Sequence, residues 1–328
     1  MSVPLVVVLF LTLAAEFTNG LTDAPNAIAM VVSTRVLPPV AAVIMAALLN
    51  IAGVLVTGTA VAATIGTGIV KPEAIGLYTV GAAVLTVVVW STVTWRFGIP
   101  TSETHELVAG LAGAGLAAAG PSVLLWEGWR KVLLGLGVST VVGFAGGFIV
   151  MLAIHWAFRN VRRSTGNRLF GRLQILSSAL MAFSHGSNDG QKFMGAFALA
   201  LVLAGVLPQF QVPLWVVLLC GITMGIGTGF GGWRIIKTMG FGSTRLEPVN
   251  GFAAETTAGL SILASSSLGI PLSTTHIINT AIMGVGATRR FSAVRWGVSG
   301  QIVLTWLITF PVCGVLGYVF SWLFKLVF

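Results

Sequence analysis

Long apolar stretches alternate with short polar phrases along the whole chain. Runs 37–65, 132–158 and 296–328 each exceed the roughly 20 residues that a helix needs to cross a bilayer. Laid end to end, the pattern predicts membrane segments at about 4–34, 38–66, 75–96, 98–120 and 131–158, then about 173–205, 213–234, 250–268, 270–288 and 297–325. Between the two sets lies one polar, arginine-rich stretch, 159–172. The short alternating segments of a transmembrane barrel are not visible. The pattern therefore predicts an all-α polytopic membrane protein.

The polar phrases come in pairs. "GIPTSETH" at 98–105 and "GIPLSTTH" at 269–276 agree at six of eight positions. "FTNGLTDAPN" at 17–26 aligns with "FSHGSNDGQK" at 183–192, with Phe, Gly and Asp in the same columns. The offsets, 171 and 166, are nearly equal and the order is the same. This divides the chain into two homologous repeats, 1–158 and 173–328, joined by a basic linker at 159–172. Five crossings per repeat is an odd number, so the second repeat is expected upside down relative to the first, as in many secondary transporters.

Composition sharpens this picture. The 328 residues are 56% hydrophobic and 8% charged, against about 25% charged in soluble domains, and mean hydropathy is +0.96. A net charge of +9 would point to nucleic acid in a soluble protein. Here the location of the charges explains it without such a partner. With the linker in the cytoplasm, Arg35, Arg96, the five linker arginines, Arg234, Lys237, Arg245, Arg289, Arg290 and Arg295 fall inside. Lys71, Arg130, Lys131 and Lys325 fall outside. That bias follows the positive-inside rule and predicts both termini outside a bacterial inner membrane. No cleavable leader is expected, because a basic start is lacking and Glu16 interrupts the first apolar run. Cys220 and Cys313 are isolated thiols in apolar segments and read as small core residues.

Two kinds of chemistry sit at membrane depth. Ionisable groups there cost at least about 2.5–3.5 kcal/mol each, so they are functional candidates by default. Asp23 and Asp189 occupy matching columns, surrounded by Gly20, Pro25, Gly186 and Gly190, which predict broken helices. Freed carbonyls, an aspartate and the oxygens of Asn26 and Asn188 make a site for a hard cation. The "GIPxSxTH" phrases have opposite polarity. Glycine, proline and serine in that order predict a helix start with Ser102 or Ser273 at the N-cap and Thr104 or Thr275 in the first turn. Free N–H groups and the positive dipole end attract anions there. In inverted repeats two such starts can face one midplane site.

Plainer readings compete for several of these residues. Membrane serines and threonines more often bond back to the i−4 carbonyl or tie helices together. Most of the 41 glycines serve close packing, as at Gly110, Gly113, Gly115, Gly284 and Gly286. His105 and His276 fit packing as well as a site. Lys192, the one basic residue within a membrane segment, either pairs with Asp189 or neutralises a bound anion. Glu103, Glu106 and Glu255 face Thr274, Ile277 and Val84 in the other half, so the repeats are similar without being equivalent.

Taken together, "NGLTDAPNA", "SHGSNDGQKFMG", "GGWRIIKTMG" and "GIPLSTTH" resemble the inorganic phosphate transporter (PiT) family in its short bacterial, low-affinity form. The resemblance spans nearly the whole chain. It implies a symporter that imports phosphate with sodium ions or protons by alternating access, in some bacterial members as a metal–phosphate complex. No cofactor is implied beyond the co-transported Na+ or H+, and a homo-oligomer is left open. Matched by motif, Ser102, Thr104, Ser273, Thr274 and Thr275, with Lys192, are the expected phosphate contacts. Asp23, Asn26, Asn188, Asp189 and Glu255 are the expected coupling-cation residues. Glu103 departs from the Ser/Thr run of many members and puts an acid beside the expected anion site.

Other readings are sulfate or arsenate transport and, in a different class, an intramembrane aspartyl protease built on Asp23 and Asp189. The protease requires two carboxyls sharing a proton and leaves the paired Ser/Thr helix starts unexplained. A Ser–His hydrolase on His185 and Ser187 is disfavoured because the matching positions are Asn19 and Leu21.

Overall fold

The structure is a computed structural model that describes residues 2–242 and 247–327. Among these residues it is helical almost throughout and holds one isolated β-bridge, Val70 to Leu124. In chain order the helices are α1 (Val3–Ser33), α2 (Pro39–Val56), α3 (Ala60–Gly68), α4 (Leu77–Phe97), α5 (Glu103–Ala119), α6 (Trp126–Ala157), α7 (Arg163–His185), α8 (Gln191–Leu203), α9 (Leu214–Phe230), α10 (Trp233–Gly242), α11 (Pro248–Ser267), α12 (Thr274–Ala287) and α13 (Trp296–Lys325). Short 3₁₀ turns precede α4, α6 and α13. Arg245, counted above with the cytoplasmic charges, lies outside the described residues.

Three expectations change. The linker is not a loop throughout, because α7 begins at Arg163 and carries the chain onward as helix. The ten crossings are not ten long helices. Five helices (α1, α2, α4, α6 and α13) are long and apolar enough to cross alone, and the pair α9 and α10, bent by 72°, makes a sixth. α5 and α12 have 17 and 14 residues, about 25 and 21 Å at 1.5 Å per residue, short of a 30 Å hydrocarbon core. Segment 38–66 likewise divides at Gly58, whose φ is 79°.

The broken helices are the third change. α1 runs unbroken through Gly20, Asp23 and Pro25. Its counterpart widens into a π-type turn, Gly186–Gly190, between α7 and α8. Buried backbone tends to keep its hydrogen bonds, and the two halves differ at this point. Pro25 has no N–H, so the Leu21 carbonyl loses its helical partner. At the equivalent place Gln191 donates its side-chain amide to the Ser187 carbonyl (2.6 Å), and its Oε1 accepts from the N–H of Val61 (2.9 Å) at the start of α3.

The half-length helices are covered by exchange. α13 lies along α5, and α6 lies along α12. Glycines allow the approach: a Cβ on Gly113 would collide with the Gly314 carbonyl, and one on Gly284 with the Phe144 carbonyl. The far sides of α6 and α13 expose Leu134, Val141, Ile149, Leu304, Leu307 and Val315. So continuous an apolar face fits hydrocarbon and would be an aggregation site in water. Inside, two apolar cores flank the polar centre: one contains Leu5, Val8 and Ala15 of α1, the other Ala27, Ile28 and Met30. The polar stretch from Glu16 to Asn26 lies between them.

Candidate functional site

Each "GIP" ends one helix, and the following serine begins the next. Gly98 (φ 70°) and Gly269 (φ 66°) adopt the left-handed conformation that closes α4 and follows α11. The proline prevents the old helix from continuing. Ser102 and Ser273 then take extended N-cap dihedrals, and the Ser273 hydroxyl accepts from the His276 N–H at 3.2 Å. The two helix starts meet: the Ser273 hydroxyl donates to Ser102 at 2.8 Å, and Thr104 donates to the Leu272 carbonyl at 2.9 Å. Ser139 of α6 supports the second phrase by accepting from the Ser273 N–H (3.3 Å). All of these side chains are buried.

The acidic pair meets the same helix start. Thr274 donates to Asp189 Oδ2 at 2.8 Å and lies 3.5 Å from Asp23 Oδ2, while Thr275 donates to Asp23 Oδ1 at 3.1 Å. Asn26, one turn beyond Asp23 on α1, donates to Thr275 at 3.1 Å and reaches Thr274 at 3.4 Å. Asp23, Asn26, Asp189, Thr274 and Thr275 thus form one continuous polar cluster, contributed by α1, the π-type turn and α12.

Other expected residues lie apart from it. Asn188 donates its amide to Ser266 (2.9 Å) and to the Ile270 carbonyl (3.4 Å), bracing the stretch that leads into the second phrase, and its buried Oδ1 is left without a hydrogen-bond partner. Glu255 accepts from Ser177 at 2.6 Å between α11 and α7, and no bond joins it to Asp23 or Asp189. The ammonium of Lys192 rests 2.6 Å from Asp189 Oδ1, on the aspartate side of the cluster. Glu103 is buried and accepts from Thr22 of α1, and Glu106 accepts from Ser91 of α4. His105 and His276 pack edge to face with centroids 4.5 Å apart, and His276 stacks on Trp306 at 3.6 Å.

His185, weighed in the sequence only as half of a Ser–His pair, stands beside the two aspartates. Its Nε2 lies 3.5 Å from Asp189 Oδ2 and 3.9 Å from Asp23 Oδ2, so it bridges the two acids. Its Nδ1 is 3.1 Å from Asn50 Oδ1, and Asn50 donates to Thr228 at 3.0 Å. The available signal was its spacing: four residues before Asp189, hence on the same helical face, in the column that holds Asn19 in the first half. Asp23, His185 and Asp189 offer ligand atoms all within 4.8 Å of one another, a donor set able to hold a cation. Ser187, by contrast, donates to the Ser184 carbonyl (2.7 Å) and is not paired with His185.

The pattern of the phosphate transporter family matches residues 19–317. The chain belongs to that family. It is 45% identical over 302 residues to a Rhizobium meliloti protein described as a "Probable low-affinity inorganic phosphate transporter", covering 92% of this chain and 90% of that one. A Bacillus subtilis protein of the same description is 38% identical, with 98% of both chains covered. A solved structure described as "The sodium-dependent phosphate transporter" superposes at a TM-score of 0.90, with 26% identity over the full length of both chains. Membership makes this a multi-pass membrane transporter of the phosphate family and removes the protease and hydrolase readings.

Proposed function

We propose that the protein is a secondary active transporter that imports inorganic phosphate together with a cation by alternating access. The observation that carries this reading is the meeting of two helix N-termini at Ser102 and Ser273, directly beside the Asp23, Asn26 and Asp189 cluster. Phosphate is held by the helix starts through Ser102, Thr104, Ser273, Thr274 and Thr275, where N–H groups and hydroxyls match its oxygens. The cation binds at Asp23 with Asn26 and the threonine hydroxyls. Because Thr274 and Thr275 touch both parts, each ion strengthens the binding of the other, which is the thermodynamic requirement for coupling. The 1–158 and 173–328 repeats move against each other around this fixed point. Two features support that division: the helices of the second half repeat the order of the first, and the covering pairs are reciprocal, α5 with α13 and α12 with α6. The reading places the 159–172 stretch in the cytoplasm and both termini outside.

The test is phosphate uptake into proteoliposomes with sodium and proton gradients imposed independently. Uptake against a phosphate gradient is expected with one of the two. Asp23→Asn is expected to abolish that coupled uptake while the protein still inserts and purifies as a monodisperse species. Uptake that follows the phosphate gradient alone would make the protein a passive pathway.

A further inference from the structure

The two halves are not equally charged at the cluster, and the difference is local. Offset by 166, Asp23 matches Asp189, and Asn26 matches Lys192. One half therefore reads Asp-x-x-Asn and the other Asp-x-x-Lys, with the residue three positions on lying on the same helical face as the aspartate. The geometries differ accordingly. Asn26 gives its amide to the two threonine hydroxyls, and Asp23 has around it hydroxyl donors at 3.1 and 3.5 Å, the His185 nitrogen at 3.9 Å and the Glu103 carboxyl, with no basic side chain in ion-pair contact comparable to Lys192 among the described residues. Lys192 places a full positive charge 2.6 Å from Asp189. Both partners are 1% exposed, and Lys192 heads the fully buried large side chains of the molecule.

We infer that Lys192 is a tethered cation: its ammonium takes, at Asp189, the place that a dissociable coupling ion takes at Asp23, so the number of external cations carried with each phosphate is lowered by one. A lysine ammonium supplies one unit of charge and three donors, which satisfies the same buried carboxylate that a sodium ion would. Being covalently held, it cannot leave with the substrate and transports no charge. Other groups in its field are Glu16 and Asp23 of α1 and His105 of α5, and His185 also faces Asp189. Among the described residues Asp189 is the acid in ion-pair contact with Lys192. The ammonium also neutralises an acid that would otherwise repel phosphate arriving at Thr274. This inference rests on the cation-coupled reading above and assigns one residue a role within it.

The experiment counts bound sodium on the purified full-length protein at saturating phosphate, using radioactive Na+, and measures phosphate affinity as a function of Na+. Wild type is expected to bind fewer than two Na+ per phosphate. Lys192→Asn, which restores the Asp-x-x-Asn pattern, is expected to bind one more Na+ than wild type. Its phosphate dissociation constant should then fall by up to a further tenfold for each tenfold rise in Na+, as linkage requires. Lys192→Arg keeps the charge and should keep the wild-type count. Asp189→Asn/Lys192→Asn removes both charges and should also keep it, which separates an ion site from a mere loss of packing. Two Na+ per phosphate in the wild type would overturn the inference whether or not any variant folds. So would a Lys192→Asn protein with no added Na+ and a phosphate affinity that Na+ does not restore, the behaviour of a direct phosphate ligand. In either case wild-type phosphate uptake would stand, whereas failure of the wild type to bind phosphate at all would remove the transport reading itself.

Discussion

Ser273 performs two tasks with one oxygen: it caps the first turn of α12 and donates to Ser102 across the meeting point of the halves. Replacing it with alanine therefore has two separable costs. Loss of the cap should lower stability by about 1 kcal/mol. Loss of a hydrogen bond to a charged ligand should weaken phosphate binding by about 1.5–3 kcal/mol, roughly 10- to 150-fold. Ser102, which makes no side-chain cap bond, should show the second cost without the first. Because both hydroxyls serve one ligand, the double alanine variant should be less than additive in binding. Calorimetric titration with phosphate and thermal melting of the purified variants check the two quantities independently. At this scale the sequence was most legible where residues repeat: Asp23 with Asp189, and Ser102 with Ser273, were found because each appears twice. Asn188 follows from its column and Glu255 from the resemblance alone, and the structure gives the Asn188 amide to Ser266 and the Glu255 carboxylate to Ser177. Column matching identifies which residue types recur, and it does not fix the direction in which an amide or a carboxylate points. The position of His185 between the acids is illegible for the same reason, since it depends on an acid of the other half.

Elements show where a permissive signal was read as a decisive one. Gly20, Pro25, Gly186 and Gly190 each lower the cost of leaving a helix, and from the sequence they predict two breaks. Packing decided otherwise: α1 stays continuous, and the second half absorbs its irregularity as one widened turn closed by Gln191. The helix starts were legible because cap chemistry is local, and the lengths of α5 and α12 were not. A hydropathy window averages over the Gly-Ile-Pro residues before each start, so it reads the extended stretch and the helix as one crossing. Glycine-mediated contact between α5 and α13 offers a direct check. Gly113→Val places its Cβ on the Gly314 carbonyl, and a well-packed site that must shift to admit extra methyls loses about 1–3 kcal/mol. A lower melting temperature in detergent is expected, with a smaller effect for Gly137→Val, where no neighbour lies within 4 Å of the added Cβ.

For the whole molecule, charge and duplication together predict a topology. An impermeant thiol reagent applied to intact cells should label single cysteines placed in the loop at 208–213 and spare those placed at 159–162. Labelling of the second group alone would reverse the orientation, and labelling of both groups from outside would undo the inverted arrangement. Fold class and membrane habit were legible because bilayer physics leaves few choices for a chain this apolar. The reciprocal covering of α5 by α13 and of α12 by α6 was not legible, since nothing in either sequence names its partner. It has a consequence for how the protein is made. Ribosomes deliver the chain from one end, so α5, which starts at Glu103, enters the membrane 193 residues before the helix that will enclose it, which starts at Trp296. During that interval the His105 ring lacks Phe310, and Gly110 and Gly113 lack Gly317 and Gly314. Its acids, Glu103 and Glu106, have Thr22 and Ser91 at hand from α1 and α4, but the apolar flank of the helix stays open. The newborn first half is thus a receptor awaiting its own C-terminus, and a stop codon near the end of the gene undoes the beginning of the protein as surely as its end.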